Sequence, residues 1–269
     1  MQEIKSIIEK SKVVHSLKNK KAFITGASSG IGLATASLLA KEGCHLFLVA
    51  RRLEKLEQIK TELLKNFPQI NIQVLAADVK EKNFCKQIES HGFADVDILI
   101  NNAGLAKGKD FAVDLKDADI EDMIETNNTA AFKISSLVAR KMSAAGRGHI
   151  VHLGSIAGHF TYEGASVYCA TKFAIGAFNQ ALRQELYDKN VRVTLVSPGV
   201  VKTEFSVVRF AGDTQKADSV YDNMKYLEAY DVAESILDSL KKPEHVNIDE
   251  VIVMPQVQAP GTGKIKRNS

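Results

Sequence analysis

The chain has 269 residues, 45% hydrophobic and 25% charged, enough to build a sizeable core in one large α/β domain or two small ones. Its net charge of +3 is too small and too evenly spread to argue for nucleic acid or an acidic membrane surface, which leaves a small molecule as the expected ligand. The three cysteines, Cys44, Cys85 and Cys169, lack CxxC spacing and read as reduced thiols, not as a disulfide framework or a metal site. No apolar run reaches the roughly 18 residues of a bilayer span and no apolar signal core opens the chain, so a cytoplasmic protein is expected.

In chain order, residues 1–19 place Ile4, Ile7, Ile8 and Val14 at helical spacing among lysines. Glu3, Glu9 and the absence of arginine argue against a transit peptide or membrane-surface helix, leaving a short helical extension on the domain's flank. From Lys20 onward short apolar runs alternate with longer amphipathic stretches. Strands are expected at 21–25, 45–50, 71–77, 96–101, 148–154, 191–197 and 250–254, and helices near 29–42, 52–66, 82–90, 118–145, 163–189 and 231–241. Strict alternation predicts right-handed βαβ units. These build a single α/β domain over 20–255, a doubly wound, parallel, seven-stranded sheet with helices on both faces. The long non-periodic stretch 199–228 reads as a substrate lid, and 256–269 as a frayed tail.

The first strand runs into TGASSGIG, where Gly26, Ser28, Ser29, Gly30, Ile31 and Gly32 open a helix. Glycines there permit a tight turn and close approach to a phosphate, while the helix N-terminus offers free amides and partial positive charge, a dinucleotide cradle. An acidic residue at the end of the second strand would accept the adenosine ribose 2′-hydroxyl. The sequence instead reads VARR, and Arg51 and Arg52 favour the 2′-phosphate of NADP over NAD; the competing reading makes them the start of an exposed helix. Asp78 and Val79 end the third strand, and Asn101, Asn102, Ala103 and Gly104 end or follow the fourth, at the carboxyl edge where such sheets bind ligands. The two asparagines serve either cofactor contact or the pinning of neighbouring strand ends.

The fifth strand ends in HLGSIAG with Ser155, thirteen residues before Tyr168, and the next helix carries Tyr168 and Lys172 at i, i+4. A neighbouring ammonium favours the phenolate, so the phenol can exchange a proton with a carbinol or carbonyl oxygen, to which Ser155 supplies a second hydrogen bond. A hydride acceptor, an acid/base group and an orienting hydroxyl are the parts that alcohol/carbonyl redox chemistry needs.

Through TGASSGIG, NNAG, Ser155, YCATK and the Pro198-Gly199 pair, the chain resembles the short-chain dehydrogenase/reductase family over about residues 20–255. The resemblance implies a Rossmann-type fold, NAD(P)-dependent carbonyl/alcohol chemistry, no metal, and a homotetramer or homodimer. It implies that Ser155 orients substrate, Tyr168 is the acid/base and Lys172 lowers its pKa and binds the nicotinamide ribose. Asn127 of ETNNTA would complete a proton relay, although Asn128 stands where the family has an apolar residue. In SPGVVKTEF, Pro198, Gly199 and Val201 would face the nicotinamide and Thr203 would bind its carboxamide.

TEFSVVRFAGD and HVNIDEVIVMP resemble the NADP-dependent 3-hydroxy acid dehydrogenases, which act on L-serine, L-allo-threonine and 3-hydroxyisobutyrate and include the malonic semialdehyde reductases. A 3-hydroxy acid needs a cation for its carboxylate, and Arg209 is the arginine of the lid segment; an exposed or interface arginine is the competing reading. His159 is expected to be an exposed loop residue, and Phe160, Tyr162 and Glu163 lie beside it after Ser155. Two rival functions stand beside the hydroxy acid dehydrogenase: a broad-specificity carbonyl reductase, and a non-catalytic NADP-binding sensor or scaffold. Intact Ser155, Tyr168 and Lys172 argue against the last.

Overall fold

The computed structural model describes residues 4–5, 15–259 and 265–267. Most of the helical extension expected over 1–19 therefore lies outside the described residues, although Leu17 is buried in the core. Strand and helix alternate as the pattern requires. β1 (Lys21–Thr25) leads into α1 (Gly30–Lys41), β2 (His45–Ala50) into α2 (Leu53–Asn66), and β3 (Ile72–Ala76) into α3 (Phe84–Ser90). β4 (Ile98–Asn101) leads into α4 (Asp117–Ile124), a π-helical turn (Glu125–Ala130) and α5 (Ala131–Ala145); β5 (Gly148–Leu153) leads into α6 (Ser166–Leu186). After β6 (Val191–Pro198) come β7 (Val201–Lys202), α7 (Glu204–Arg209), α8 (Thr214–Ser219) and β8 (Leu227–Glu228), then α9 (Ala229–Leu240) and β9 (Glu250–Val253).

Seven strands form one parallel sheet in the order β3-β2-β1-β4-β5-β6-β9. Alternate residues of each strand supply two separate apolar layers, because side chains on a strand point to opposite faces in turn. Ile24, Leu46, Leu48 and Ile100 pack with Leu39 of α1 and with Val232 and Ile236 of α9 on one face. Phe23, Phe47, Leu99 and Ile150 pack with Ile134 and Val138 of α5 and Leu182 of α6 on the other. Among the described residues no helix is long and apolar enough to cross a membrane.

Two expectations need correction. The single helix expected over 118–145 is broken at 125–130 by a wider turn, which places Asn127 and Asn128 in its buried wall. The stretch 199–228 is not irregular: β7 pairs with β8, and α7 and α8 lie between them. Each of these elements spans at most six residues, too short for periodicity to register.

A chain of buried polar groups crosses the β1–β4–β5 region. Thr25 Oγ1 reaches Asn101 Oδ1 (3.5 Å), Asn101 Nδ2 donates to Ser135 Oγ (3.0 Å), Ser135 Oγ meets His152 Nε2 (2.8 Å), and His152 Nδ1 meets Asn179 Oδ1 (2.8 Å). Burial pushes the His152 pKa down from 6.5 to about 4, so the ring is neutral in the folded protein. An unfolded chain takes up that proton near pH 6.5, so this contribution is complete above pH 6.5 and is lost as pH falls toward 4, in total roughly 3 kcal/mol. Denaturant unfolding at pH 7 and pH 5 should show wild-type stability falling with pH more steeply than that of His152→Gln; equal slopes would remove His152 from the account.

Candidate active site

The strand order reverses between β1 and β4, so the connections from their carboxyl ends diverge and leave a crevice there. Hydrogen bonds fix its floor. Thr25 Oγ1 accepts from Asn102 N and Ala103 N, both at 3.0 Å, and Asn102 Nδ2 donates to Thr25 O (2.9 Å) and Gly26 O (3.3 Å). Asn101 donates to Ala131 O and Ser135 Oγ. Both asparagine side chains thus pin strand ends, and Asn102 also lines the crevice.

A cavity of about 1140 Å³ opens above this floor, more room than a small substrate alone requires. It gathers most of the residues singled out in the sequence: Gly26, Ser28, Ser29, Gly30, Ile31, Arg51, Arg52, Asp78, Val79, Asn102, Ala103, Gly104, Ser155, Tyr168, Lys172, Pro198, Gly199, Val201, Thr203 and Arg209. Gly32 is not among the lining residues. A Cβ there would stand 2.4 Å from Gly26 O, so the residue lets α1 pack closely against the turn. Asn127 also stands behind the wall: its Oδ1 accepts from Leu105 N (2.8 Å) and its Nδ2 donates to Leu105 O (2.8 Å) and Thr171 Oγ1 (3.1 Å). Asn128 donates instead to Thr171 O on α6, so Asn127 is the one that borders Gly104.

At one end of the cavity the glycine turn fits a dinucleotide phosphate. Gly26 and Gly30 hold φ of +66° and +54°, and a Cβ on Gly26 would come within 2.8 Å of Asn102 Nδ2. Ser29 caps α1 without a side-chain capping bond to the helix, and no acidic residue sits in the first turn, so the helix amides face the cavity. Arg52 donates to Ser28 Oγ (3.1 Å) and Glu204 Oε2 (2.8 Å), and Lys55 donates to Glu204 Oε1 (2.9 Å). The Arg52 and Lys55 bonds hold the Glu204 pKa down at about 2. Arg51 is exposed and has no ion-pair partner among the described residues.

At the other end α6 presents Tyr168 and Lys172 from its buried stripe, which continues through Ile175, Asn179 and Leu182. Gly158 allows the turn after Ser155 to lie on that helix, since a Cβ there would stand 2.6 Å from Lys172 O. Ser155 caps this turn, its Oγ accepting from Ala157 N at 3.1 Å. Lys172 Nζ donates to Leu153 O (2.8 Å) and stands 5.8 Å from the Tyr168 ring centroid; burial lowers its pKa to about 8. The Tyr168 phenol is not pulled down as expected. Burial pushes its pKa up, Tyr162 adds to that, and Ser155 and Arg209 oppose it.

Arg209 closes this end. Its guanidinium donates to Gly108 O (2.8 Å), Tyr162 Oη (3.0 Å) and Gly164 O (3.4 Å), with Cζ 5.9 Å from the Tyr168 ring centroid. His159, expected to be exposed, is half-buried and turned to the sheet: its Nε2 lies 2.7 Å from Glu250 Oε1 and 3.3 Å from Ser197 Oγ. Thr203 caps α7, accepting from Phe205 N at 3.2 Å. Sequence reasoning missed Lys109, Glu204 and Gln258 in the cavity wall. Gln258 lies in the segment expected to fray, yet its Oε1 accepts from Val200 N at 2.9 Å. Glu204 sits in the SPGVVKTEF segment without a role of its own, no motif marks Lys109 or Gln258, and only the folded chain brings them to the crevice. Among the described residues no cluster of histidine, cysteine or carboxylate side chains could hold a metal ion.

A doubly wound sheet with a glycine turn, a buried tyrosine–lysine pair and a serine at its crevice defines a dinucleotide-dependent oxidoreductase class. The sequence matches the family described as short chain dehydrogenase over residues 20–213, and the chain belongs to that family. It is 45% identical over 246 residues to the NADP-dependent 3-hydroxy acid dehydrogenase of Schizosaccharomyces pombe, covering 90% of this chain and 95% of that one. It is 36% identical to the serine 3-dehydrogenase of Agrobacterium fabrum, covering 91% and 98%. A serine dehydrogenase solved in its closed form with NADP+ is similar in fold, with a TM-score of 0.85, 35% identity, and coverage of 92% of this chain and 100% of that one.

Because Gly32 packs backbone against backbone, Gly32→Ala should destabilise the protein by about 1–3 kcal/mol and lower its Tm by several degrees in calorimetry. An unchanged Tm would mean that the turn yields freely.

Proposed function

We propose that the protein is an NADP-dependent oxidoreductase that interconverts small 3-hydroxy acids and their 3-oxo acids. The observation that carries this reading is the position of Arg209, a guanidinium on the cavity wall 5.9 Å from the ring of the buried Tyr168, opposite the glycine turn. A carboxylate on that guanidinium puts the carbon two bonds further along the chain near the phenol. The named activities of the Schizosaccharomyces pombe and Agrobacterium fabrum relatives support the same substrate class.

Bound NADP would supply the hydride acceptor or donor, held by Ser28, Ser29, Gly30 and Ile31 at the turn, by Asp78, Val79, Ala103 and Gly104 along the strand ends, and by Pro198, Gly199, Val201 and Thr203 at the nicotinamide end. Arg51, with no ion-pair partner among the described residues, would take the 2′-phosphate, and Arg52 would join it by leaving Glu204. Tyr168 donates its proton to the substrate oxygen in reduction and takes the hydroxyl proton in oxidation, with Ser155 holding that oxygen. Lys172 would hold the nicotinamide ribose and place its charge beside the phenol, and Asn127, through Leu105 and Thr171, keeps the wall behind them in place.

Oxidation of 3-hydroxypropionate, 3-hydroxyisobutyrate, L-serine and L-allo-threonine with NADP is the direct test, beside reduction of simple ketones and sugars with NADPH; turnover confined to the ketones and sugars would sink the acid assignment. Tyr168→Phe should lose turnover while still binding NADP. Since burial holds the phenol protonated at neutral pH, oxidative kcat/KM should rise from pH 7 to 10, whereas reduction, which needs the acid form, should not. A flat oxidative profile would argue against Tyr168 as the base. Arg51→Asp should lower the NADP:NAD preference by about tenfold or more, the scale of one lost charge-assisted bond to phosphate, read from kcat/KM for each cofactor.

A further inference from the structure

The loop after β4 and the lid helix α7 are joined at one point by reciprocal hydrogen bonds. Gly108 N donates to Arg209 O at 2.8 Å, and Arg209 Nε donates back to Gly108 O at 2.8 Å. This clasp brings the residue after Gly108 to the substrate end of the cavity. Lys109 lines the cavity there, its ammonium 5.8 Å from the ring centroid of Phe210, which also lines it.

The other cations of the cavity wall have partners or another role. Arg52 is bonded to Glu204, Lys80 to Asp122, Lys172 to Leu153 O and Lys216 to Asp213; Arg209 is engaged by two carbonyls and a phenol, and Arg267 by Asp222 O. Arg51 stands at the opposite, glycine-turn end. Lys109 has no carboxylate within ion-pair distance and no side-chain hydrogen bond among the described residues. Glu163, also in the cavity wall, does not pair with it. Desolvation, then Arg209 and Arg267, push the Lys109 pKa below its ordinary value, and no carboxylate figures among the causes. Two cations that line the same end of the cavity, Lys109 with no ion-pair partner among the described residues, leave a position that an anion stabilises and a further cation destabilises.

We propose that Lys109 and Arg209 together form a two-cation acid-binding subsite that makes the enzyme prefer anionic 3-hydroxy and 3-oxo acids over zwitterionic β-hydroxy-α-amino acids. The inference rests on the proposed function and names the substrate class within it. A net-negative acid brings only its carboxylate to the pair. L-Serine or L-allo-threonine brings an α-ammonium next to that carboxylate, and Lys109 repels it. Lys109 is a specificity-determining residue in this arrangement and takes no part in proton or hydride transfer.

The test compares wild type with Lys109→Met and Lys109→Arg, each loaded with NADP. Wild type should show higher kcat/KM for 3-hydroxypropionate than for L-serine. Lys109→Met should raise KM for 3-hydroxypropionate about tenfold with kcat held, the scale of one charge-assisted hydrogen bond, and should affect L-serine less. Lys109→Arg should restore the preference, which a loss of packing alone would not explain. A ratio of the two kcat/KM values that is the same in wild type and Lys109→Met overturns the proposal. Calorimetric titration with malonate, an unreactive acid anion, separates this subsite from the reading of function. If malonate binds Lys109→Met about tenfold more weakly than wild type, the subsite stands even where no hydroxy acid is oxidised, and only the functional reading falls. Equal malonate affinity in the two proteins overturns the subsite whichever substrates turn over.

Discussion

The hydroxyl of Thr25 is the hinge of this structure. It sits at the carboxyl end of β1, where the strand order reverses, and accepts the amides of Asn102 and Ala103 as they leave β4. Asn102 returns the favour by donating to the carbonyls of Thr25 and Gly26. Two strand ends that diverge to opposite faces are thereby held in fixed relation, and the glycine turn, the floor of the cavity and Gly104 beneath Lys172 inherit their positions from that bond set. Thr25 is fully buried, and a buried polar atom left unpaired costs more than a made hydrogen bond returns, so the bonds to its hydroxyl admit few alternatives.

The polar chain running from Thr25 through Asn101, Ser135 and His152 to Asn179 extends that constraint across β5 to α6. α6 is the helix that carries Tyr168 and Lys172, and Asn179 lies on the same buried stripe as both. The register of Tyr168 and Lys172 against the sheet is therefore specified by directional bonds as well as by apolar packing, which would tolerate small slides. The π-helical turn adds a third support by carrying Asn127 to Leu105 and Thr171.

Cationic groups gather at two ends of the cavity. At the glycine turn the positive charge is partly answered by Glu204, which belongs to the lid helix. At the other end Arg209, from the last turn of the same helix, shares the cavity wall with Lys109. One six-residue helix thus touches both ends of the cavity. At that second end the Tyr168 phenol and the Lys172 ammonium are each shifted toward their neutral forms by desolvation.

The alternation of apolar runs and amphipathic stretches determined the seven-stranded parallel sheet and most element boundaries to within a residue or two, because period 2 and period 3.6 are local properties of the chain. Short spacings determined the glycine turn and the Tyr168-Lys172 pair for the same reason: i to i+4 on one helix needs no tertiary knowledge. What depends on distant segments was decided only by the fold. Gly32 as a packing contact, Asn127 behind the wall, His159 paired with Glu250, and the short helices of the lid all follow from which surfaces meet. So do the raised phenol pKa, set by burial and not by the neighbouring lysine, and the placing on one cavity wall of Lys109 and Arg209, residues 100 positions apart that no local pattern joins. Burial and long-range electrostatics are sums over the whole folded chain, and no window of sequence contains them.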